Sequence, residues 1–510
     1  MPLPKLSAHL LNSAHAFPAS VRHAPTRSLP ERVLQFGEGN FLRGFADWMI
    51  HRLNAQNLFN GKIVVVQPIA QGLADKLNQQ DGLYTLLLRG LQSGGVVDRR
   101  EIISSISRAL NPYADFPAFL ACADNPDLRF IVSNTTEAGI AFSPADKPTD
   151  APPASFPGKL TALLLRRFTT FHGDPAKGFV LLPCELIEAN GTALKKAVLQ
   201  TAANWNLSPE FQAWVQNANH FTNTLVDRIV TGYPRDEAAA ITAELGYDDA
   251  LLDAAEVFHF WVIEGDPALA EELPLHKIGL DVIWTKNMKP YRDRKVRILN
   301  GAHTMTVLAA YLAGKDTVKE CMDDDLIARY MRAGIYEEII PTLDLPEKEL
   351  QDFAAAVSER FGNPFIKHFL LSIALNSTSK FKSRLLPSIK EYLRRKGTLP
   401  RRLTFSLAAL IAFYRGRAIT GQSLLGLRGT AEYNIQDDLP VLELFARLWT
   451  AHAAADATPA ATLQLVQQLL ARQEIWGEDL NALSGFAAAV AEHLQTILTR
   501  GAREALQAVA

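Results

Sequence analysis

The chain has 510 residues, of which 48% are hydrophobic and 21% charged, and its formal net charge is −2. This is the composition of a soluble globular protein, and the balance of charges excludes the strongly basic surface of a nucleic-acid-binding protein. The three cysteines are widely spaced and odd in number, which favours a reducing compartment over a disulfide framework. No run of about 18 apolar residues exists, so we predict no membrane span. His9, Asn12 and Ser13 interrupt the apolar run near the N-terminus, which argues against a signal peptide. We therefore expect a cytoplasmic protein.

Residues 31–287 alternate short β-branched runs with helical patterns. The runs are RVLQFG, KIVVVQPI, RFIVSNTT and GFVLLPCEL. Continuous apolar runs with helices between them indicate a parallel sheet that is buried on both faces. The sequence therefore predicts an α/β doubly wound domain over 31–287, preceded by an N-terminal arm at 1–30.

From residue 288 onward the sequence becomes rich in alanine and leucine. The runs NGAHTMTVLAAYLAG, FIKHFLLSIALN, LTFSLAALIAFYRG and TLQLVQQLLARQ have helical spacing. We predict a mainly α-helical C-terminal domain over 288–510. Residues 143–158 are rich in proline and predict a long surface loop, and residues 451–464 predict a loop between helices.

A glycine-containing turn follows the first predicted strand, in the stretch VLQFGEGNFLRGF (33–45). Gly37 and Gly39 would let the backbone approach a pyrophosphate, which the N–H groups of the next helix would bind. The full dinucleotide fingerprint is absent, because Leu42 replaces the third glycine. Gln67 and Pro68 also stand where an acidic residue for the ribose is expected. Read alone, the turn fits a plain tight turn as well as a cofactor site, and its place after the first strand favours the cofactor site.

Ser133 to Gly139 follow another predicted strand, in the stretch IVSNTTEAGI. They would lie at the carboxyl edge of the sheet, where ligands bind in such folds. Read alone, the stretch is better explained as a helix-capping turn, since Ser, Asn and Thr favour helix starts.

Three polar residues, Lys295, Asn300 and His303, interrupt the apolar stretch KVRILNGAH. On an α-helix, Asn300 lies about 140° and His303 about 80° round from Lys295, so all three share one side. A desolvated lysine can act as a general base, an asparagine amide can donate to a developing oxyanion, and a histidine can orient a substrate. This set suits oxidation of a secondary alcohol by a nicotinamide cofactor. Taken singly, the lysine could be solvated and the histidine part of the core.

Other catalytic motifs are missing from the sequence. The twelve histidines form no close-spaced cluster with cysteine, and no His-Glu-x-x-His occurs. We therefore predict no metal site, which disfavours a zinc alcohol dehydrogenase. No Gly-x-Ser-x-Gly nucleophile elbow is present either.

Together, these motifs resemble the polyol-specific long-chain dehydrogenases, the mannitol dehydrogenase family. The resemblance rests on Lys-x4-Asn-x2-His and on QFGEGNFLRGF, TTEAG, PCELIEANG, LVDRIVTGYPRD and RFGNPFIKH. It implies a Rossmann-type N-terminal domain, a helical C-terminal domain, NAD as cofactor, no metal, and an active site in the cleft between the domains. It implies that Lys295 is the general acid/base, Asn300 an oxyanion donor, His303 a substrate ligand and Asn190 a second oxyanion donor. The positions that it implies for cofactor binding are Phe36, Gly37, Gly39, Asn40, Phe41, Arg43, Gln67, Thr136 and Glu137.

One departure from the mannitol branch bears on the substrate. The stretch SIALNSTSK has Ser372 where that branch has arginine, while Lys380 remains. This is consistent with a branch acting on sugar acids, in which Lys380, Lys382 or Arg384 holds the carboxylate and Asp227 lies near the substrate. The resemblance then implies NAD-dependent interconversion of D-altronate and D-tagaturonate, with a small sugar acid as the ligand. The alternatives are the mannonate–fructuronate reaction, another polyol dehydrogenase, or a nucleotide-binding sensor without activity.

Overall fold

The computed structural model describes residues 3–136 and 138–510, apart from the side chain of Arg417. The chain divides into two compact units. The first consists of residues 1–90 and 95–288, and the second of residues 91–94 and 289–510. In the described residues, no helix is both long and apolar enough to cross a membrane.

Strands of the first unit are β1 (Val21–Arg22), β2 (Glu31–Phe36), β3 (Lys62–Val66), β4 (Tyr84–Gln92), β5 (Gly95–Ile103), β6 (Ile106–Leu110), β7 (Phe130–Ser133), β8 (Val180–Pro183), β9 (His220–Phe221), β10 (Asn223–Asp227), β11 (Asp253–Glu256), β12 (Phe260–Glu264) and β13 (Val282–Thr285). Its α-helices are α1 (Ala8–Asn12), α2 (Asn40–Leu42), α3 (Trp48–Ala55), α4 (Ala74–Gln79), α5 (Phe116–Ala121), α6 (Phe156–Thr170), α7 (Asn190–Asn204), α8 (Pro209–Ala218) and α9 (Ala238–Leu245).

The central sheet of the first unit is parallel, with strand order β6-β3-β2-β7-β8-β9. The four apolar runs noted in the sequence form β2, β3, β7 and β8, which are neighbours in this sheet. Val33 and Ile63 point into one apolar core, and Leu34 and Val64 point into another on the opposite face. Burial on both faces is why these strands are continuously apolar, and the predicted α/β fold is confirmed.

Two smaller sheets complete the first unit. Strands β1, β5, β4 and β11 form one, in that order, and β10, β12 and β13 form the other. Strand β1 pairs with β5 in parallel, and Leu6 and Leu10 of the N-terminal segment are buried in an apolar core of this unit. Within the described residues, the N-terminal segment is therefore attached to the first unit through β1, Leu6 and Leu10.

The second unit is mainly helical, as predicted. Its α-helices are α10 (Lys289–Arg294), α11 (Gly301–Leu312), α12 (Val318–Asp323), α13 (Asp325–Ala333), α14 (Glu347–Phe361), α15 (Leu370–Ile373), α16 (Ser377–Arg384), α17 (Leu386–Lys396), α18 (Arg401–Phe413), α19 (Leu439–Ala454), α20 (Pro459–Leu470), α21 (Gln473–Trp476), α22 (Phe486–Arg500) and α23 (Ala502–Val509). Helix α18 is buried on all sides from Leu403 onward, and it packs against α11 and α22.

Three expectations for the second unit need correction. An antiparallel sheet of β14 (Gly416–Thr420), β15 (Ser423–Arg428) and β16 (Ala431–Ile435) was not predicted. The run FIKHFLLSIALN is helical only in α15, because its start pairs with residues 316–318: the Val318 N–H donates to the His368 carbonyl and the Leu370 N–H to the Asp316 carbonyl. Most of the alanine-rich stretch 451–464 continues α19 and begins α20, which leaves only 455–458 as a loop.

Candidate active site

The glycine turn after β2 combines a left-handed backbone conformation with an open stretch of backbone. Gly37 has φ +118°, a conformation that side chains rarely adopt, and a Cβ there would lie 3.0 Å from the Asn134 carbonyl oxygen. Nothing lies within 4 Å of the position of a Cβ on Gly39. The turn therefore requires glycine at 37 and leaves open backbone at 39, so it fits a pyrophosphate at the start of the helical segment that follows.

Buried side chains around this turn stabilise its conformation. Phe36 is buried against Phe119 and Phe156. Arg43 is 2% exposed, donating from Nη1 to the Leu251 carbonyl (2.5 Å) and from Nη2 to Asn40 Oδ1 (2.7 Å). We infer that Arg43 and Asn40 hold the turn in shape.

An aromatic pair lies on the helical segment after the turn. The ring of Phe41 stacks on that of Phe45 at 5.0 Å, and Phe45 is buried in one of the two cores of the sheet. Phe41 is half-buried. It is thereby fixed beside Gly39, where the backbone is open.

The side-chain amide of Gln67 forms its hydrogen bonds with residues of the loop that follows β3. Its Nε2 donates to the carbonyls of Ile69 (2.8 Å) and Ala70 (3.0 Å), and its Oε1 accepts from the Ala74 N–H (3.2 Å). Glu38, which the sequence reading missed, lies against the same loop and accepts from the Leu73 N–H at 3.4 Å. Burial raises the pKa of the Glu38 carboxyl. A carboxyl group is therefore present beside the loop after β3, where the dinucleotide fingerprint expects one. It is supplied by Glu38 of the glycine turn.

We expect Glu38→Gln to relax the preference for NAD over NADP. An acidic group near the adenosine ribose accepts from its 2′-hydroxyl and repels a 2′-phosphate. A hydrogen bond to a charged group contributes about 1.5–3 kcal/mol, so the ratio of kcat/KM for NADPH to that for NADH should rise at least about tenfold. The measurement is initial-rate kinetics with both cofactors. Glu210→Gln, which alters an exposed residue of α8, is the matched control, and an unchanged ratio in Glu38→Gln would refute the role.

The loop after β7 is held by a buried carboxyl group. Glu185 accepts from Ser133 Oγ (3.1 Å) and from the Thr135 N–H and Oγ1 (2.9 and 3.0 Å), and burial raises its pKa. Thr136 is exposed, with φ +77°. A non-glycine residue held in this region is strained, which is common at ligand sites. Glu137, predicted to bind the cofactor, lies outside the described residues.

Asn190 and Asp227, also predicted from the resemblance, belong to the first unit. Asn190 is fully buried at the start of α7, where its amide nitrogen donates to the carbonyls of Pro183 (2.9 Å) and Glu185 (3.1 Å). Its oxygen accepts from the Thr224 N–H at 2.8 Å. Both protons of the Asn190 side-chain amide are therefore donated in hydrogen bonds within the protein. Asp227 is half-buried at the end of β10.

In the second unit, Lys295 and Asn300 begin and end a π-helical segment (Lys295–Asn300) that continues directly into α11. The Gly301 N–H donates to the Val296 carbonyl, five residues back. A π turn absorbs one extra residue, so Lys295 and Asn300 are related as residues i and i+4 of an α-helix, about 40° apart. His303 is related to Lys295 as i and i+7, about 20° away. The predicted angles were wrong because they assumed an α-helix throughout, and the three side chains share a narrower face than expected.

His303 lies on α11 in an apolar and cationic setting. Its ring stacks on that of Phe361 at 4.1 Å and meets the ring of His368 edge to face at 5.3 Å. Burial, and then the nearby positive groups, hold the pKa of His303 well below its usual range, so the ring is neutral. Its Nε2 is buried and has no hydrogen-bond partner among the described residues. A neutral imidazole with an unused nitrogen is suited to hold a substrate hydroxyl.

Three positive side chains lie near enough to His303 to lower its pKa. Arg360 at the end of α14 and Lys380 and Arg384 on α16 all contribute to the shift in its pKa, together with His368. Arg384 Nη1 donates to Thr304 Oγ1 (3.3 Å) and Lys380 Nζ to the Ile373 carbonyl (2.8 Å). Burial, followed by the charge of Arg384, lowers the pKa of Lys380. Lys380 and Arg384 therefore lie near enough to His303 to act on its charge, and their carboxylate-binding role stays a prediction.

Arg360 and His368 were not selected from the sequence. Both stand in the stretch RFGNPFIKH, which carried the resemblance but indicated no roles. Their approach to α11 depends on packing that the sequence does not reveal. In the described residues, no group of three or more His, Cys, Asp or Glu side chains is placed to hold a metal ion.

Comparison with known proteins places the chain in a family. A model described as the mannitol dehydrogenase Rossmann domain matches residues 31–277, and one described as the mannitol dehydrogenase C-terminal domain matches residues 287–498. The chain belongs to the mannitol dehydrogenase family. The family resemblance drawn from the sequence motifs is thereby confirmed.

Curated relatives match almost the whole chain. An altronate oxidoreductase of Yersinia pestis bv. Antiqua (strain Nepal516) is 51% identical over 488 residues, which cover 96% of this chain and 98% of that protein. An altronate oxidoreductase of Escherichia coli O139:H28 (strain E24377A / ETEC) is 49% identical over 487 residues, which cover 95% and 98%.

Solved structures show the same fold. A D-sorbitol dehydrogenase in substrate-free form has a TM-score of 0.77 and 22% identity, with coverage of 98% of this chain and 100% of that chain. Pseudomonas fluorescens mannitol 2-dehydrogenase, in a ternary complex with NAD and D-mannitol, has a TM-score of 0.65 and 24% identity, with 99% of both chains covered.

Proposed function

We propose that this protein is an NAD-dependent oxidoreductase that interconverts D-altronate and D-tagaturonate. The observation that carries the proposal is the cationic cluster of Arg360, Lys380 and Arg384 around His303, because a sugar acid has a carboxylate to place there and a neutral polyol has none. The identity of about half of all residues with altronate oxidoreductases supports the same substrate pair.

We assign the two units different tasks. Residues 31–287 hold the dinucleotide through Gly37 and Gly39, and residues 288–510 hold the sugar acid and the acid/base group. The turn at Gly37 fits a bound pyrophosphate. When bound, the nicotinamide accepts a hydride from the alcohol carbon or returns it to the ketone.

Residues of the second unit manage the proton and the developing charge. Lys295, as the neutral amine, takes the hydroxyl proton when altronate is oxidised, and as the ammonium it returns that proton to the ketone oxygen of tagaturonate. The Asn300 amide donates to the same oxygen, whose negative charge grows in the transition state. Neutral His303 holds a hydroxyl through Nε2. Lys380 and Arg384 bind the carboxylate and fix the orientation of the chain of carbons.

The cytoplasm is the compartment that we propose, since the three cysteines are buried free thiols, as expected in a reducing environment.

A turnover assay tests the function directly. We expect oxidation of NADH with D-tagaturonate at a kcat/KM at least tenfold above that with D-fructuronate, the ketone of the mannonate reaction. An excess of activity on D-fructuronate would instead identify the sister reaction. Binding of NADH without turnover on either ketone would identify a sensor.

A further inference from the structure

A cavity of about 180 Å³ opens in the first unit between the N-terminal segment, α3 and the start of β3. Five of its lining residues have side chains that are, or can become, positively charged: Arg22, His23, Arg27, His51 and Lys62. Glu101 is the acidic residue in the lining. We call this the basic cavity.

The basic cavity lies at the opposite edge of the central sheet from the glycine turn. Lys62 is the first residue of β3, whereas Gly37 follows the last residue of β2, which pairs with β3 in parallel. Five residues of strand span roughly 16 Å. A ligand in the basic cavity would therefore not overlap a dinucleotide at Gly37.

Among the described residues, Arg27 and Lys62 meet only neutral acceptors. Arg27 donates to the Asn54 carbonyl (2.9 Å) and to Asn60 Oδ1 (3.0 Å), and Lys62 Nζ donates to the Ser104 carbonyl (2.5 Å). Within the described residues neither forms a salt bridge. Burial, and then the charge of Arg27, lower the pKa of Lys62. Both cations line the same cavity without an ion-pair partner among the described residues, and a bound anion would supply that partner.

Glu101 does not neutralise these cations. Its carboxylate accepts from Trp48 Nε1 (3.2 Å) and lies 3.7 Å from His51 Nε2 and 3.8 Å from Arg52 Nη1. Arg22 pairs with Glu101 in the register of β1 and β5, yet no salt bridge joins their charged groups. Arg22, Arg27 and Lys62 therefore form no ion pair among the described residues.

We propose that the basic cavity binds a small metabolite through a phosphate or carboxylate group, at a site separate from the proposed active site. Guanidinium and ammonium groups are the usual ligands of both oxyanions. The cavity exceeds the roughly 10–15 Å³ needed by one water but is smaller than the about 300–1,000 Å³ of pockets for drug-sized ligands. It suits a molecule of a few carbon atoms.

Calorimetric titration of the whole protein in saturating NADH tests this proposal. The probes are inorganic phosphate and acetate, which separate a phosphate ligand from a carboxylate ligand, and acetate lacks the hydroxyl groups by which a sugar acid would bind near His303. We expect at least one to bind with NADH already bound. Arg22→Gln combined with Arg27→Gln should weaken that binding at least about tenfold, since hydrogen bonds to two charged groups are lost.

Three control variants keep the result interpretable. Arg22→Gln alone alters an exposed side chain with no hydrogen bond or salt bridge within the described residues, so it tests the site without risk to folding, and it should weaken binding. Lys196→Gln, at an exposed lysine of α7, should bind like the wild type. Arg384→Ala should also keep the binding, which separates the basic cavity from the cationic cluster around His303. The proposal would be overturned if neither probe bound to the wild type. It would also be overturned if Arg22→Gln and the double variant both bound the probe with wild-type affinity.

Discussion

Lys295→Ala should lose about 10²–10⁴-fold in kcat, the range typical of general acid–base catalysis. Lys295 starts the π-helical segment that continues into α11, the helix of His303, and we propose that its amine exchanges a proton with the reacting oxygen. In the wild type, the oxidation rate should rise with pH as the ammonium loses its proton, and the reduction rate should fall. Both dependences should disappear in the variant. The measurement is kcat as a function of pH in each direction.

Controls for this variant separate chemistry from structure. NADH should bind to Lys295→Ala as to the wild type, because we propose that Gly37 and Gly39 of the first unit hold the nucleotide. Lys289→Ala removes an exposed lysine of the preceding helix, whose ion pair with Asp293 lies at the surface, and it should keep normal rates. Near-normal turnover in Lys295→Ala, or a parallel loss of NADH binding, would show that the lysine is structural.

Arg384→Ala and Lys380→Ala should each lower kcat/KM for D-tagaturonate at least about tenfold, since a hydrogen bond between charged groups contributes about 1.5–3 kcal/mol. The two residues are four apart on α16 and therefore lie on the same face of that helix. The loss should be much smaller for an uncharged ketose analogue, which has no carboxylate to place. Steady-state kinetics with both substrates measures the difference.

Lys382 provides the matched control, because it was also a candidate from the sequence. It is exposed on another face of α16, where its side chain approaches Gly477. Lys382→Ala should therefore leave kcat/KM unchanged. If Lys382→Ala had the larger effect, or if both other variants behaved like the wild type, the carboxylate would bind elsewhere.

Much of the fold could be predicted because buried strands and helices require apolar residues in patterns that the sequence shows directly. The apolar runs of β2, β3, β7 and β8 are buried on both faces, and the alanine- and leucine-rich runs of α11, α18 and α20 are helical. The run at 365–376 misled because its apolar residues suit a helix, while hydrogen bonds to Asp316 and Val318 hold its start in an extended form. Those bonds join segments about fifty residues apart, which a local pattern does not reveal.

Residue type and spacing allowed Lys295, Asn300 and His303 to be proposed from the sequence, and the structure places them on one continuous helical run. The site was not predictable where long-range packing assembles it. Glu38 reaches the loop after β3 from the preceding turn, and Arg360 and His368 reach α11 from elements 57 and 65 positions later in the chain than His303. Roles that rest on the resemblance, including that of Asn190, stay predictions.

Because Lys295–Asn300 is π-helical, the number of residues between two positions does not by itself give the angle between their side chains in this segment. If the wide turn relaxed to an α turn without loss of a residue, everything before it would rotate by about 100° relative to α11, and Lys295 would lie about 80° round from His303 instead of about 20°. A homologue lacking one residue and the wide turn would present the same face with a separation of seven instead of eight. Alignments that score such a gap as a disruption would then miss an intact catalytic face, and the helical register is the quantity to compare.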